Sequence, residues 1–117
     1  MIIAVDFDGT IVEHKYPKIG KEVPFASMTL KKLHEEGHRL ILWTYRSGKE
    51  LEEAVKFCEK KGIEFYAINA NFPEEKMDND VSRKILAEVY IDDRNVGGLP
   101  DWGVIYNEIQ AHSKKKR

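Results

Sequence analysis

The sequence contains a single cysteine, Cys58, so neither an internal disulfide nor a cysteine-based metal cluster can form within one chain. It also lacks an excess of either charge, because 19 basic and 20 acidic side chains leave a formal net charge of −1. Composition therefore gives no electrostatic argument for binding nucleic acid or an anionic membrane surface. No apolar run approaches the roughly 20 residues that a transmembrane helix requires.

The first residues run directly into acidic residues, without the basic region, longer apolar run and cleavage site of a signal peptide. We therefore expect a cytoplasmic protein without a membrane partner. The length of 117 residues fits one folded domain. We place this domain at residues 1–112, followed by a basic tail at residues 113–117 that is typical of a disordered end. In a domain this small, a site is built by one chain or completed by a second copy, so the sequence allows a homo-oligomer.

Short apolar runs alternate with helical patterns along the chain. The apolar runs predict strands at residues 2–5, 39–44, 63–68 and 88–93. Apolar residues at helical spacing, with glycine or proline at the ends, predict helices at residues 25–36, 48–61 and 81–86 and from Pro100 onward. The composition of residues 11–23 predicts a loop or small hairpin, and that of residues 69–80 predicts a loop. Strands alternating with helices indicate an α/β fold, a three-layer, doubly wound, Rossmann-like parallel sheet.

Polar residues follow three of the predicted strands. Asp6 and Asp8 follow the first strand, Thr44 ends the second, and Asp92 and Asp93 end the fourth. Ligands of such sheets bind beyond the carboxyl ends of the strands, so we expect these side chains to converge. Four carboxylates that lie close together repel one another unless a cation neutralises them, and an all-oxygen ligand set favours Mg²⁺. Because Mg²⁺ usually shares its ligands with phosphate oxygens, a phosphorylated substrate is the expected partner.

The segment Asp6-Phe7-Asp8-Gly9-Thr10 carries the most specific pattern. In an extended backbone, Asp6 and Asp8 point the same way while Phe7 turns toward the core. One carboxylate can then attack phosphorus while the other transfers a proton. Gly9 permits a tight turn, so we expect Gly9 and Thr10 to direct main-chain N–H groups at a phosphate.

Further candidate phosphate ligands lie on later segments. The hydroxyl of Thr44 can donate to a phosphoryl oxygen, and Lys84 can supply a positive charge, with Lys76 as the alternative lysine. Arg46 and Arg94 follow the candidate motifs closely and are candidates for substrate contact, although surface arginines more often pair with a nearby acid.

These segments resemble the four signature motifs of the haloacid dehalogenase (HAD) superfamily of phosphohydrolases, in the family order. The resemblance spans roughly residues 2–97. It implies that Asp6 is the nucleophile that forms an aspartyl-phosphate, and that Asp8 protonates the leaving group and then activates water. It also implies that Mg²⁺ is held by Asp6, the main-chain carbonyl of Asp8 and one or both of Asp92 and Asp93.

Members of this superfamily often carry an inserted cap domain. The intervals between the motifs here are filled by the predicted helices, strand and loops, so the chain resembles a capless member. The sequence therefore predicts a magnesium-dependent phosphomonoesterase with an open site. Two alternatives stay open: a phosphate-binding or phospho-accepting regulatory module with little turnover, and a phosphatase for nucleic-acid ends, against which the near-neutral charge argues.

Overall fold

Four parallel strands form one sheet in the computed structural model of the chain, which describes residues 1–70 and 86–115. The strands are β1 (Ile2–Val5), β2 (Arg39–Leu42), β3 (Ala67–Ile68) and β4 (Val89–Ile91), and their order across the sheet is β3-β2-β1-β4. The central strand β1 pairs in parallel with both β2 and β4, and Ile3 lies opposite Leu40 on one side and Val89 on the other. The predicted α/β fold with a parallel sheet is confirmed.

Three described helices pack against the sheet, and their buried side chains join the hydrophobic cluster on one of its faces. They are α1 (Ala26–Glu35), α2 (Gly48–Lys60) and α3 (Trp102–Lys115). Both α1 and α3 bury one apolar face, and Tyr106 and Gln110 of α3 donate hydrogen bonds of 2.6 and 2.7 Å to the carboxylate of Glu36, just after α1. The longest described helix, α3, has 14 residues, which is too short to cross a bilayer.

The side chains of β1 alternate between two hydrophobic clusters, as the period of a strand requires. Ile3 and Val5 face the larger cluster, which receives residues from all three helices, including Leu30, Cys58 and Trp102. Ala4 faces a smaller cluster on the other side of the sheet. Because β1 is buried on both faces, its sequence is continuously apolar. No cap domain occurs within residues 1–70 and 86–115, in agreement with the predicted capless architecture.

The strand order places a topological switch point beside β1. The chain passes from β1 to β2 and β3 on one side and then returns to form β4 on the other side. At such a point the loops after two neighbouring strands separate and leave a crevice. Here that crevice lies between the loops that follow β1 and β4, which contain all four candidate aspartates.

Some predicted boundaries differ from the structure. The predicted hairpin is present, since the main chain of Glu13 donates to Lys21 and that of Val23 donates to Ile11. Strand β3 is only two residues long, because Ile63 at the start of the predicted strand instead donates to Cys58 and closes the end of α2. Helix α3 runs to Lys115, into the tail predicted to be disordered. Residues 71–85, with most of one predicted loop and of the predicted helix at 81–86, lie outside the described residues.

Candidate functional site

The end of β1 gives the two aspartates of the Asp6-Phe7-Asp8 segment different surroundings. The main-chain N–H of Asp6 continues the ladder with β4 by donating to Ile91 at 2.9 Å. Phe7 is fully buried and packs edge-on against Phe57 at 5.9 Å between ring centroids. The prediction that Phe7 turns into the core is therefore confirmed. Asp6 is partly exposed, whereas the side chain of Asp8 has no exposed surface.

The turn after Asp8 uses its own main-chain donors. The N–H of Gly9 donates to the carbonyl of Val12 at 2.7 Å, and the N–H of Thr10 donates to the carbonyl of Phe7 at 3.2 Å. These groups are therefore not free to form the predicted phosphate cradle. Thr10 is itself buried, and its hydroxyl donates to Asp6 at 3.4 Å. In the structure Thr10 helps to orient the Asp6 carboxylate rather than to bind a ligand.

Gly9 brings the loops after β1 and β4 together. Its φ of +84° is one that side-chain-bearing residues rarely adopt, and a Cβ at this position would overlap the Asp93 carboxylate, with its Cγ only 2.7 Å away. Glycine is therefore required here because of both its backbone conformation and the close approach of Asp93. The sequence suggested the first reason but not the second.

Asp6 and Asp93 form a carboxyl pair at the switch point. Burial is the largest cause that raises the pKa of Asp6, to about 7, and the hydrogen bond and negative charge of Asp93 add to it. A pair of this kind holds a proton near neutral pH unless a cation neutralises it. Perturbed carboxyl groups in a crevice are typical of functional sites.

Asp8 faces Arg46 instead. The Nε and NH2 groups of Arg46 donate to the two carboxylate oxygens of Asp8 at 2.8 and 2.7 Å, and neither side chain has exposed surface. The remaining N–H groups of the guanidinium donate to the carbonyls of Pro17, Lys18 and Glu50 at 3.2, 2.9 and 3.4 Å. All five donors are thus engaged, and the hydrogen bonds to Asp8 raise the pKa of Arg46.

This ion pair agrees with the alternative prediction that Arg46 pairs with an acid, and it limits the predicted role of Asp8. Arg46 is unsuited to binding a substrate, because any new acceptor would have to displace one that it already holds. Asp8 borders the cavity described below only through its main chain, since the residue is 2% exposed while its side chain is completely buried. Its carboxylate does not reach a ligand in this conformation. Asp8 therefore lies at the predicted edge of the sheet beside Asp6, but its carboxylate is neutralised by Arg46.

The two aspartates that follow β4 make different contacts. One carboxylate oxygen of Asp92 accepts the main-chain N–H of Arg94 at 2.8 Å, and the Asp92 carbonyl accepts the side chain of Asn95 at 3.4 Å, so Asp92 caps its own turn. Asp92 still borders the cavity. Asp93 lies against Gly9 and Asp6. Of the two, Asp93 is the one paired with Asp6.

Thr44 follows β2 and is held in place by two contacts. Its main-chain N–H donates to the side-chain carbonyl of Asn69 at 2.8 Å, and its hydroxyl oxygen accepts the N–H of Arg46 at 3.2 Å. Among the described residues, the hydroxyl proton has no acceptor. Because Thr44 borders the same cavity as Asp6, that proton is available to a ligand oxygen. No pattern in the sequence pointed to Asn69.

A cavity of about 330 Å³ lies over these groups. It is bordered by residues of three loops: Asp6, Asp8, His14, Trp43, Thr44, Tyr45, Asp92, Arg94 and Asn95. Its size is at the lower end of small-molecule sites. Arg94 is exposed at its edge, which keeps the predicted substrate contact available to this arginine. Lys84 and Lys76 lie outside the described residues.

Comparison with known proteins gives one informative similarity. No family model and no curated protein matches the chain. A solved structure of a conserved protein from Bacteroides thetaiotaomicron is 59% identical, with a TM-score of 0.89, and the match covers 96% of this chain and 91% of the Bacteroides chain. The chain belongs to the same family as this protein. The shared fold of this family therefore includes the sheet and the switch point, while the chemistry has to be inferred from the site itself.

The residues at the switch point that would hold Mg²⁺ are among those that the resemblance implies, rather than a cluster of four carboxylates. Within the described part of the chain, no three Asp, Glu, His or Cys side chains lie together as a metal site. What the structure offers is the Asp6–Asp93 pair and the main chain of Asp8. Mg²⁺ is commonly held by one or two carboxylates, with water and substrate phosphate completing its shell. Burial is the main cause of the raised pKa of Asp6, and the negative charge of Asp93 that adds to it is what a cation would neutralise.

Proposed function

We propose that the protein is a magnesium-dependent phosphohydrolase that removes phosphate from monoesters through an aspartyl-phosphate on Asp6. The observation that supports this most directly is the Asp6–Asp93 carboxyl pair at the switch point of a parallel sheet, with the pKa of Asp6 raised to about 7. The order of the sequence motifs, which resembles that of the HAD superfamily, points to the same chemistry. The proposal also takes Mg²⁺ as cofactor and a phosphorylated small molecule as substrate.

In the proposed reaction, a carboxylate oxygen of Asp6 attacks phosphorus and the bond from phosphorus to the leaving-group oxygen breaks. The Thr10 hydroxyl orients the Asp6 carboxylate, and the Thr44 hydroxyl donates to a phosphoryl oxygen. When bound by Asp6, Asp93 and the Asp8 main chain, Mg²⁺ would offset the negative charge of phosphate and nucleophile. Water then attacks phosphorus, which releases inorganic phosphate and returns the Asp6 carboxylate.

The leaving-group oxygen must gain a proton, and the resemblance assigns this transfer to Asp8. In the structure the Asp8 carboxylate is buried against Arg46. For the assigned role, the Asp8 side chain has to exchange at least one Arg46 donor for the leaving group. This step is part of the proposal, and it makes proton transfer the most demanding part of the cycle for esters with poor leaving groups.

The proposal is tested with p-nitrophenyl phosphate in the presence of Mg²⁺. We expect multiple turnovers, loss of activity when EDTA removes the metal, and recovery when Mg²⁺ is returned. Asp6→Asn keeps the size of the side chain but removes the nucleophile, so its rate should fall at least about 10³-fold. Asp101→Asn, at an exposed aspartate outside the cavity, serves as the matched control. Full activity in Asp6→Asn would refute the proposal.

A phospho-accepting module with little turnover is the second candidate, and the buried Asp8–Arg46 pair favours it. If Asp8 never leaves Arg46, no acid–base group assists the hydrolysis of phosphorylated Asp6. Mixing the protein with a small acyl phosphate distinguishes the two candidates. Phosphorylation that stops at one equivalent per chain supports the module, whereas continued phosphate release supports the phosphohydrolase.

A further inference from the structure

Two aromatic residues flank Thr44 in the sequence and border the candidate site. Trp43 and Tyr45 are the neighbours of Thr44, and both border the cavity that contains Asp6. Their exposed fractions are 39% for Trp43 and 56% for Tyr45. Single exposed aromatic residues are common on protein surfaces. These two differ because they border the same small cavity, and the candidate phosphate ligand Thr44 lies between them in the sequence.

Both rings are held in place by other aromatic or polar groups. The Trp43 ring packs edge-on against Tyr90, with centroids 5.6 Å apart and an interplanar angle of 70°. The Tyr45 ring lies 5.2 Å from that of Tyr16, and its hydroxyl is 3.2 Å from Nε2 of His14. A ring that is already positioned loses little conformational freedom when a ligand packs on it. The cavity therefore presents prearranged apolar faces beside the position of the phosphate.

We propose that this site selects phosphate monoesters whose leaving group carries a planar aromatic ring, as in aryl-alkyl esters and nucleotides, over esters of open-chain alcohols. The inference rests on the proposed function, because it takes Asp6 as the place where phosphate binds. With phosphate beside Asp6 and Thr44, the leaving group extends past Trp43 or Tyr45. A planar ring can stack or pack edge-on against these side chains and gains more than an alkyl chain of similar apolar area.

Matched substrates separate ring recognition from leaving-group chemistry. Benzyl, cyclohexylmethyl and n-butyl phosphate are all esters of primary alcohols, so their KM values compare an aromatic ring, an aliphatic ring and an open chain. We expect the KM of benzyl phosphate to be about 5-fold below that of cyclohexylmethyl phosphate. The KM of uridine 5′-monophosphate, compared with that of benzyl phosphate, then distinguishes a nucleotide site from a site for simple aryl groups. Equal KM values for benzyl and cyclohexylmethyl phosphate would overturn the inference.

Substitutions of Trp43 and Tyr45 test whether their rings cause the preference for aromatic esters. Trp43→Leu and Tyr45→Leu should each raise the KM of benzyl phosphate several-fold and raise that of n-butyl phosphate by a smaller factor. Tyr45→Phe retains the ring and should retain the preference. Phe25→Leu is the control, since Phe25 is 64% exposed and does not border the cavity. If the leucine variants raise both KM values equally, the rings support the fold and the inference is wrong.

A binding measurement keeps this inference separate from the proposed function. Benzylphosphonate and n-butylphosphonate cannot be hydrolysed, so titration calorimetry with Mg²⁺ present measures ring preference without turnover. Tighter binding of benzylphosphonate that is lost in Trp43→Leu or Tyr45→Leu supports ring recognition even if no ester is hydrolysed. Equal binding of the two phosphonates overturns it even if Asp6-dependent hydrolysis of n-butyl phosphate is found.

Discussion

Asp6 and Asp8 are separated by one residue, yet they lie in opposite electrostatic surroundings. Asp6 is partly exposed and paired with a second acid, Asp93, which helps to raise its pKa to about 7. Asp8 is buried and paired with Arg46, whose five donors are all engaged. Asp6 is thus held beside a like charge, an unfavourable arrangement that a bound cation would relieve and that phosphate chemistry could require. The charge of Asp8 is instead neutralised within the fold.

The difference shows how two similar residues divide into reactive and structural groups. A like-charged pair at a crevice raises the energy of the folded chain when no ion is bound, which is typical of sites that bind or react. A buried ion pair with all donors engaged instead connects elements, here the end of β1, the start of α2 and the hairpin carbonyls of Pro17 and Lys18. We therefore expect Asp6 variants to affect chemistry first and Arg46 variants to affect stability first.

The largest expected effect on stability is at Arg46. Arg46→Met removes the guanidinium and leaves the Asp8 carboxylate buried without its partner, so the free energy of unfolding in urea should fall by about 3–5 kcal/mol. Lys61→Met is the control, because Lys61 forms an ion pair with Glu22 at 3.4 Å that is partly exposed and should contribute less than about 1 kcal/mol. Equal losses in the two variants would show that the buried pair has no special structural role.

A smaller effect is expected at Gly9, on the Asp6 side of the comparison. Gly9→Ala introduces a Cβ at a φ of +84° and against Asp93, so we expect a loss of about 1–3 kcal/mol in thermal unfolding. Gly97→Ala is a matched control, since Gly97 has a φ of +90° but a Cβ added there would meet no atom within 4 Å. The loss at Gly9 beyond that at Gly97 measures the contact with Asp93. Equal losses would mean that only backbone conformation matters at Gly9.

A further effect on the Asp6 side is the pH dependence that Asp6 gives to the metal-free protein. The pKa of Asp6 is about 7 in the folded protein and near 3.8 when the environment is removed. Between these values the folded chain retains a proton that the unfolded chain has released, so stability should fall as pH rises from about 4 to about 7. Asp6→Asn should lose this slope and melt at a higher temperature than the wild type at pH 8 in EDTA.

Added Mg²⁺ provides the second half of that test. At pH 8 it should raise the melting temperature of the wild type, because a cation relieves the repulsion between Asp6 and Asp93, and it should have less effect on Asp6→Asn. The measurement is a melting curve at pH 5 and pH 8, with EDTA or Mg²⁺. Identical pH slopes in the two proteins would show that Asp6 titrates normally in the folded state.

Much of the fold could be predicted because it depends on local patterns. The apolar run at residues 2–5 and the helical spacing of Leu30 and Leu33 identify buried faces directly, and the glycines after α1 and α2 mark where these helices end. Strand β3 was predicted too long, because the apolar pattern at the start of the predicted strand is equally compatible with the end of a helix. The predicted ends of β1 and β2 also located Asp6 and Thr44 at the loops that follow these strands.

The pairing within the site could not be predicted in the same way. The sequence allowed Arg46 either to contact a substrate or to pair with an acid, but it did not identify Asp8, which lies 38 residues away along the chain, as that acid. The choice between Asp92 and Asp93 depends on a turn in which Asp92 accepts from Arg94. The main-chain donors of Gly9 and Thr10 were predicted to bind phosphate, but the turn that they form uses them internally.

The sequence by itself determined the parallel α/β fold and the loops that carry the acids, because strand and helix periods and strand ends are local properties. Only the tertiary structure decided that Asp6 pairs with Asp93 while Asp8 pairs with Arg46. The physical reason is that charge pairing depends on which side chains are buried within hydrogen-bonding distance. That distance is set by the packing of β1, β4 and α2 together, rather than by the order of residues.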